Sequence, residues 1–192
     1  MTSETGLPPK AVIHRRTEIY RGRHFGFVTE NITLPNGRRA EMAMVRHPGS
    51  VGVVPLFDDG SVLMEHQYRH CVRDYLLEIP AGTLEAGETP LACARRELEE
   101  ETGYTAAEII PLGRTHILPA YSDEVIHLFM ARGLAPARRN LDPDEIIRTR
   151  EYPLQRLLEM IADGGITDAL TILALQRTWF YLYGVSGSRP PT

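Results

Sequence analysis

The sequence predicts an α+β domain. Three observations carry this: strand-like runs separated by hairpin-type turns in the first half, one sharply capped helix in the middle, and two helical stretches near the end. The helices are grouped and do not alternate strictly with strands, so regular βαβ winding is not expected. Residues 1–10, with Pro8 and Pro9, read as a loose arm. Residues 11–45 are β-rich, with Phe25, Val28 and Ile32 interspersed among polar residues and Pro35-Asn36-Gly37 as a hairpin turn. Residues 51–56 and 61–65 flank Asp58-Asp59-Gly60, a second hairpin signal, and 75–79 form another strand that Pro80 stops. Thr89 then offers an N-cap, Pro90 suits the first helical position and Gly103 suits C′, which predicts a helix over 90–102. Strands are expected near 109–117 and 124–131, then helices over 153–162 and 167–183. The boundaries drawn are a small N-terminal β subdomain (1–48), a main domain (49–184) and a disordered tail (185–192).

Bulk properties narrow the function. At 192 residues the chain suits one domain, or one with a small annex, and buries about two-thirds of its unfolded surface without disulfide staples. A net charge of −4 argues against a general polyanion binder, so no nucleic-acid partner is expected. Cys71 and Cys93 are too few for a disulfide framework and lack zinc-ligand spacing; Cys93 reads as a small packed hydrophobe. No apolar h-region opens the chain and no apolar run approaches a membrane span. A cytoplasmic enzyme is the expectation.

The chemistry concentrates between Gly82 and Tyr104. On the predicted helix, Glu97, Glu100 and Glu101 stand at i, i+3 and i+4, which puts them on one face. Leu91, Ala94 and Leu98 form a neighbouring apolar stripe to anchor the helix. Clustered carboxylates repel unless something positive joins them, and Mg²⁺ takes a few carboxylates together with water and phosphate oxygens. A solvated acidic face is the competing reading. Arg96 beside the acids, and the glycine–glutamate loop 82–88 before the helix, weigh against it.

This segment resembles the Nudix box, Gly-x5-Glu-x7-Arg-Glu-U-x-Glu-Glu-x-Gly-U, where U is a bulky aliphatic. Gly82, Glu88, Arg96, Glu97, Glu100, Glu101 and Gly103 fill every fixed position, and Tyr104 stands at the last aliphatic one. Seven chance matches at one start site have odds on the order of 10⁻⁹ to 10⁻⁸ at ordinary residue usage. The approach, Gln67-Tyr68-Arg69 then Glu78-Ile79-Pro80-Ala81-Gly82, is similar to that of the ADP-ribose pyrophosphatase subfamily, as are Pro119 and Ser122-Asp123-Glu124 after the box. Leu118-Pro119-Ala120 departs from the Ser-Pro-Gly frequent there. The resemblance covers about residues 15–180 and is strongest over 50–125.

The resemblance implies a Nudix fold, a mixed β-sheet sandwiched between helices. It also implies Mg²⁺-dependent hydrolysis of a nucleotide sugar, ADP-ribose to AMP and ribose 5-phosphate, with Mn²⁺ as the alternative ion. Metal ligation maps onto Glu97, Glu101 and the Ala81 carbonyl, with Glu100 as a further ligand. Arg96 orients the glutamates and Glu88 hydrogen-bonds within the loop–helix unit. Arg69 suits a phosphate through its fork, Glu78 suits polar groups of the substrate, and Leu118 and Pro119 fall among the substrate contacts. Glu145 corresponds to the loop carboxylate that positions or deprotonates the attacking water, with Asp142 and Asp144 as competitors. The family also implies a homodimer in which the N-terminal region offers an aromatic ring to the base. Tyr20, Phe25 and Phe27 are the candidates, with core packing the default for each. GDP-mannose or another nucleotide sugar, and a non-catalytic ADP-ribose sensor, are the alternatives.

Overall fold

The computed structural model describes residues 9–143 and 145–184. Most of the expected arm, the tail from 185 and Asp144 lie outside the described residues. The chain divides into two compact units. The first runs to Pro48 and takes in Leu118–Glu124; the second comprises Gly49–Ile117 and resumes at Val125.

In the first unit β1 (Val12–Arg21), β2 (Gly26–Thr33) and β3 (Arg39–Arg46) form an antiparallel meander. Gly37 adopts φ 83° in the tight turn between β2 and β3, a conformation that glycine takes without steric cost. Val28, Glu30 and Ile32 share the buried face of β2, and Arg16 donates to Glu30 at 2.6 Å. Because strand side chains alternate, Phe27 points the other way, and Tyr20 is its cross-strand partner. Tyr20, Phe25 and Phe27 are all exposed, which corrects the default of core packing for these rings.

The second unit begins with β4 (Ser50–Pro55), β5 (Ser61–Arg69), β6 (Asp74–Glu78) and β7 (Ala81–Thr83). It continues through α1 (Pro90–Thr102), β8 (Tyr104–Thr115), β9 (Ile126–Pro136), β10 (Ile147–Pro153), α2 (Leu154–Ala162) and α3 (Ala169–Tyr183). One sheet has the order β7-β4-β9-β8, with β4 and β9 parallel; the other has the order β10-β5-β6. β4 is buried along its whole length because both faces of its sheet are covered. Val51, Val53, Phe129 and Ala131 pack with Cys93, Ala94 and Leu98 of α1. Val54, Leu128 and Met130 pack with Leu154, Leu157, Ala174 and Leu175 of α2 and α3.

Two expectations need correction. Asp58-Asp59-Gly60 makes the tight turn, with Phe57 N–H donating to Ser61 C=O at 2.8 Å. However, β4 and β5 pair only at the bridge Leu56↔Val62 and then diverge into different sheets, because β4 is held by β7 and β9. On α1, Leu91 is exposed and Cys93 is buried instead. Leu91 lies in the first turn of α1, about 70° from the centre of the buried stripe. β7 and β10 were not anticipated. β7 is three residues long, and β10 is an edge strand whose arginines carry no apolar signal.

Thr171 ties α3 to the strand segment entering the site. Its fully buried hydroxyl accepts from Ile79 N–H at 3.0 Å, while its own N–H donates to the Asp168 cap at 2.8 Å. Thr171→Val keeps the shape but removes that acceptor from a buried N–H. The expected loss is about 1–3 kcal/mol, read as a lower urea midpoint with unchanged slope; an unchanged midpoint would show that the bond contributes nothing.

Candidate functional site

The site grows from the loop–helix junction. Thr89 caps α1 by accepting from Ala92 N–H at 3.2 Å, and Gly103 closes it at φ 74°, donating to Glu99 C=O. The buried face of the helix is mixed: Cys93, Ala94 and Leu98 are apolar, whereas Glu97 and Glu101 are acids. Arg96 sits beside them and reaches both ways. Its Nε and Nη2 donate to the two Glu88 oxygens at 2.9 Å each, and Nη2 also donates to Thr83 C=O at 3.2 Å. Its Nη1 donates to Glu97 Oε1 at 2.7 Å and to Glu100 Oε2 at 3.1 Å. Glu88 accepts in addition from Glu85 N–H at 3.0 Å. The Arg96 fork holds the Glu88 carboxyl down to about 2.

β7 supplies the opposite wall. A methyl group on Gly82 would lie 1.7 Å from Glu97 Oε1, so only glycine lets that carboxylate lie against the strand. Ala81 N–H donates to Glu101 Oε2 at 2.8 Å, which puts the Ala81 backbone beside the second acid. Burial pushes Glu97 up to about 7 and raises Glu101 well above the usual carboxylate range. For Glu101 the strongest like-charge neighbour is Glu65.

Sheet β10-β5-β6 adds a polar face. Glu65, Gln67 and Arg69 alternate along β5, and Glu78 pairs with Glu65 across the strands. Arg69 donates to both Glu78 oxygens, Nη2 at 2.6 Å and Nε at 3.0 and 3.1 Å. Glu78 is therefore engaged with Arg69, while the arginine side chain keeps 41% exposure and stays accessible. After β9, Arg139 donates through Nε to Glu101 C=O at 2.5 Å and through Nη2 to Ile147 C=O at 3.3 Å. Glu145 accepts from Asp142 N–H at 2.8 Å, and its charge acts on Glu65, Glu97 and Glu101. Asp142 is exposed.

The structure thus brings Ala81, Glu97, Glu101, Arg96, Glu100 and Glu145 into one electrostatic neighbourhood, with Arg69 and Glu78 on the adjoining sheet. Leu118 and Pro119 belong to the first unit, in a turn where Leu118 C=O accepts from Tyr121 and Ser122 N–H. Asp123 accepts from His47 N–H at 2.9 Å and pairs with Arg46. Glu65 and Arg139 went unnoticed in the sequence. Glu65 was detectable by parity, two residues before Gln67 and four before Arg69, had the strand been extended past residue 65. Arg139 carries no such signal in Arg138-Arg139.

A family model, NUDIX domain, matches residues 46–172. The chain belongs to the Nudix family. It is 37% identical over 163 residues to an ADP-ribose pyrophosphatase of Bacillus subtilis (strain 168), covering 84% of this chain and 88% of that protein. It is 38% identical over 161 residues to a methanol dehydrogenase activator of Bacillus methanolicus, covering 83% and 87%. The crystal structure of an ADP compounds hydrolase superposes with a TM-score of 0.80 at 23% identity, over 92% of this chain and 96% of that one. The Nudix α+β fold is thereby established, as is a Nudix pyrophosphohydrolase.

The donors present suit the divalent cation that such enzymes use. They are hard carboxylate oxygens, buried and mutually repelling, with both Glu65 oxygens lacking a hydrogen-bond partner. Among the described residues no three acids, histidines or cysteines are already gathered as a cage. Glu97 and Glu100 are turned onto Arg96, so the shared helical face expected from spacing holds for position and not for convergence of the oxygens.

Two windows of pH dependence follow for the metal-free protein. Glu97 is raised from 4.5 to about 7, so between those values the folded chain holds a proton that the unfolded chain has released, and stability falls as pH rises. Glu65 and Glu101 shift in the same direction. Glu88 is lowered from 4.5 to about 2, so its contribution is present above 4.5 and is lost as pH falls through 2. In EDTA, Tm should therefore peak near the ordinary carboxylate pKa and decline from pH 5 to pH 8. A Tm that climbs over that interval contradicts the burial of these acids.

Proposed function

We propose that the chain hydrolyses the diphosphate of ADP-ribose, giving AMP and ribose 5-phosphate, with Mg²⁺ as its ion. The carrying observation is the box with all its fixed positions filled, in which Arg96 joins loop and helix acids, in a chain alike over most of its length to the Bacillus subtilis ADP-ribose pyrophosphatase. Glu97, Glu101 and the Ala81 carbonyl hold the cation, and Glu100 supplies a further ligand. When bound, the cation acidifies water and screens the diphosphate charge. Glu145, on the loop before β10, takes the proton from the attacking water. Oxygen adds to one phosphorus as the bridging P–O bond breaks and the other phosphate leaves. Arg96 positions the glutamates from outside the substrate. Arg69, its fork set by Glu78, meets a phosphate oxygen. Leu118 and Pro119 are proposed as substrate contacts. Cytoplasmic action accords with an exposed free thiol at Cys71.

A product-resolved assay over ADP-ribose, GDP-mannose, NADH and diadenosine polyphosphates with Mg²⁺ tests the reading. AMP and ribose 5-phosphate should form fastest, from ADP-ribose. Preferential turnover of GDP-mannose would move the assignment to that substrate, and no turnover of any compound would favour a sensor. Glu97→Gln and Glu101→Gln should each lower kcat by orders of magnitude, and Glu145→Gln by about 10²–10⁴-fold. Near-native activity in either of the first two removes the ligand assignment.

We also propose a homodimer formed through β1–β3, supported by the exposed Val12, Ile13, Ile19, Tyr20, Phe25 and Met42. Sedimentation equilibrium should return twice the 21.6 kDa chain mass; a monomer mass at micromolar concentration rejects it.

A further inference from the structure

Glu65 has no place in the family pattern described above, yet it is the most deeply buried acid of the second unit. Its exposure is 0%, and among the described residues it is the only carboxylate buried with neither oxygen hydrogen-bonded. An ionised carboxylate without partners is costly in the interior, so something must offset it or it must stay protonated. Its position in the sheet indicates where it belongs. Val62 and Met64 lie on the apolar side of β5 and enter the core. Glu65 lies on the opposite side with Gln67 and Arg69, directly across from Glu78. The charges acting on it come from Arg139, Glu145, Glu78 and Arg69, and it is the foremost like charge acting on Glu101. Arg139 attracts it without bonding to it, since that guanidinium is committed to the Glu101 and Ile147 carbonyls. An aliphatic residue would fill the same place with no charge to bury.

We propose that Glu65 is a cation-facing carboxylate, by which β5 contributes a donor to the divalent-cation site of α1, directly or through a cation-bound water. The proposal rests on the cation-dependent reading of the site. It adds the sheet β10-β5-β6 to a donor set otherwise drawn from α1 and β7, so that the cation also fastens α1 to the strand carrying Arg69.

The test is binding of Mn²⁺ alone, followed by loss of the free-ion EPR signal and by calorimetry, on the unsubstituted chain, Glu65→Gln and Glu65→Leu. Glu65→Gln keeps the shape and should bind at least about tenfold more weakly, the scale seen when a supporting ligand group is removed. Glu65→Leu removes a buried carboxyl without hydrogen-bond partners, so it should melt higher than the unsubstituted chain in EDTA and gain less from added Mn²⁺. Unchanged Mn²⁺ affinity in Glu65→Gln would falsify the proposal and leave Glu65 a neutral core acid. If Glu65→Gln does not fold, a Glu65→Leu protein stabilised by Mn²⁺ as fully as the unsubstituted chain overturns it equally. Absence of binding to the unsubstituted chain, by contrast, removes the cation-dependent reading itself and the proposal with it.

Discussion

Arg96 lies between the loop that precedes α1 and the acids that α1 presents, and its guanidinium bonds to both. A lysine could neutralise one of these carboxylates but could not span Glu88, Glu97, Glu100 and the Thr83 carbonyl at once, because only a planar fork presents several donors in fixed directions. The path of the loop and the direction of Glu97 depend on that one residue, which also bonds to β7 through the Thr83 carbonyl. Glu88 belongs to the same constraint. Its two oxygens occupy one edge of the guanidinium, which leaves the other edge to meet the helix acids.

The sheet then restricts what can stand opposite. Gly82 on β7 leaves room for the Glu97 carboxylate, and Ala81 N–H fixes one oxygen of Glu101. β7 is held in turn by β4, whose register sets Val51 against Gly82 and Gly52 against Ala81. β4 is buried on both faces, so a slip of one residue would exchange Val51 and Val53 with Gly52 and Val54 across two differently shaped apolar layers. The precision of the acid site therefore comes from apolar packing on either side of a strand that carries no functional side chain.

The bounds of helix α1 were legible because their signals are local: a capping threonine, a proline at the first turn, a C′ glycine and acids spaced for one face. The fixed box residues were legible for the same reason. Where the sequence misled, the cause was non-local. The Asp58-Asp59-Gly60 turn forms, but pairing is decided by β7 and β9, far along the chain. Tyr20 and Phe27 are aromatic residues in strands, yet Val28 and Ile32 had already claimed the buried parity. Leu91 had the right spacing and lay at the rim of the stripe. Arg139 needed tertiary knowledge, since it acts on a carbonyl more than thirty residues away, and Glu65, though it shares the strand parity of Gln67 and Arg69, meets Glu101 only through folding.

The acids work against the fold that holds them. Burial raises Glu97 and Glu101, and each like charge brought nearer raises them further, so the cluster is retained at a cost in stability. The two apolar layers around β4 and β9 offset that cost. A positive charge that joined the cluster would relieve the repulsion only in the folded chain, because the unfolded chain does not bring β5, β7 and α1 together. Under the proposed ligand set, cation affinity and folding stability would be linked through the same carboxylates. A substitution that lowers the repulsion in the metal-free protein would, under that ligand set, also weaken the attraction for the ion.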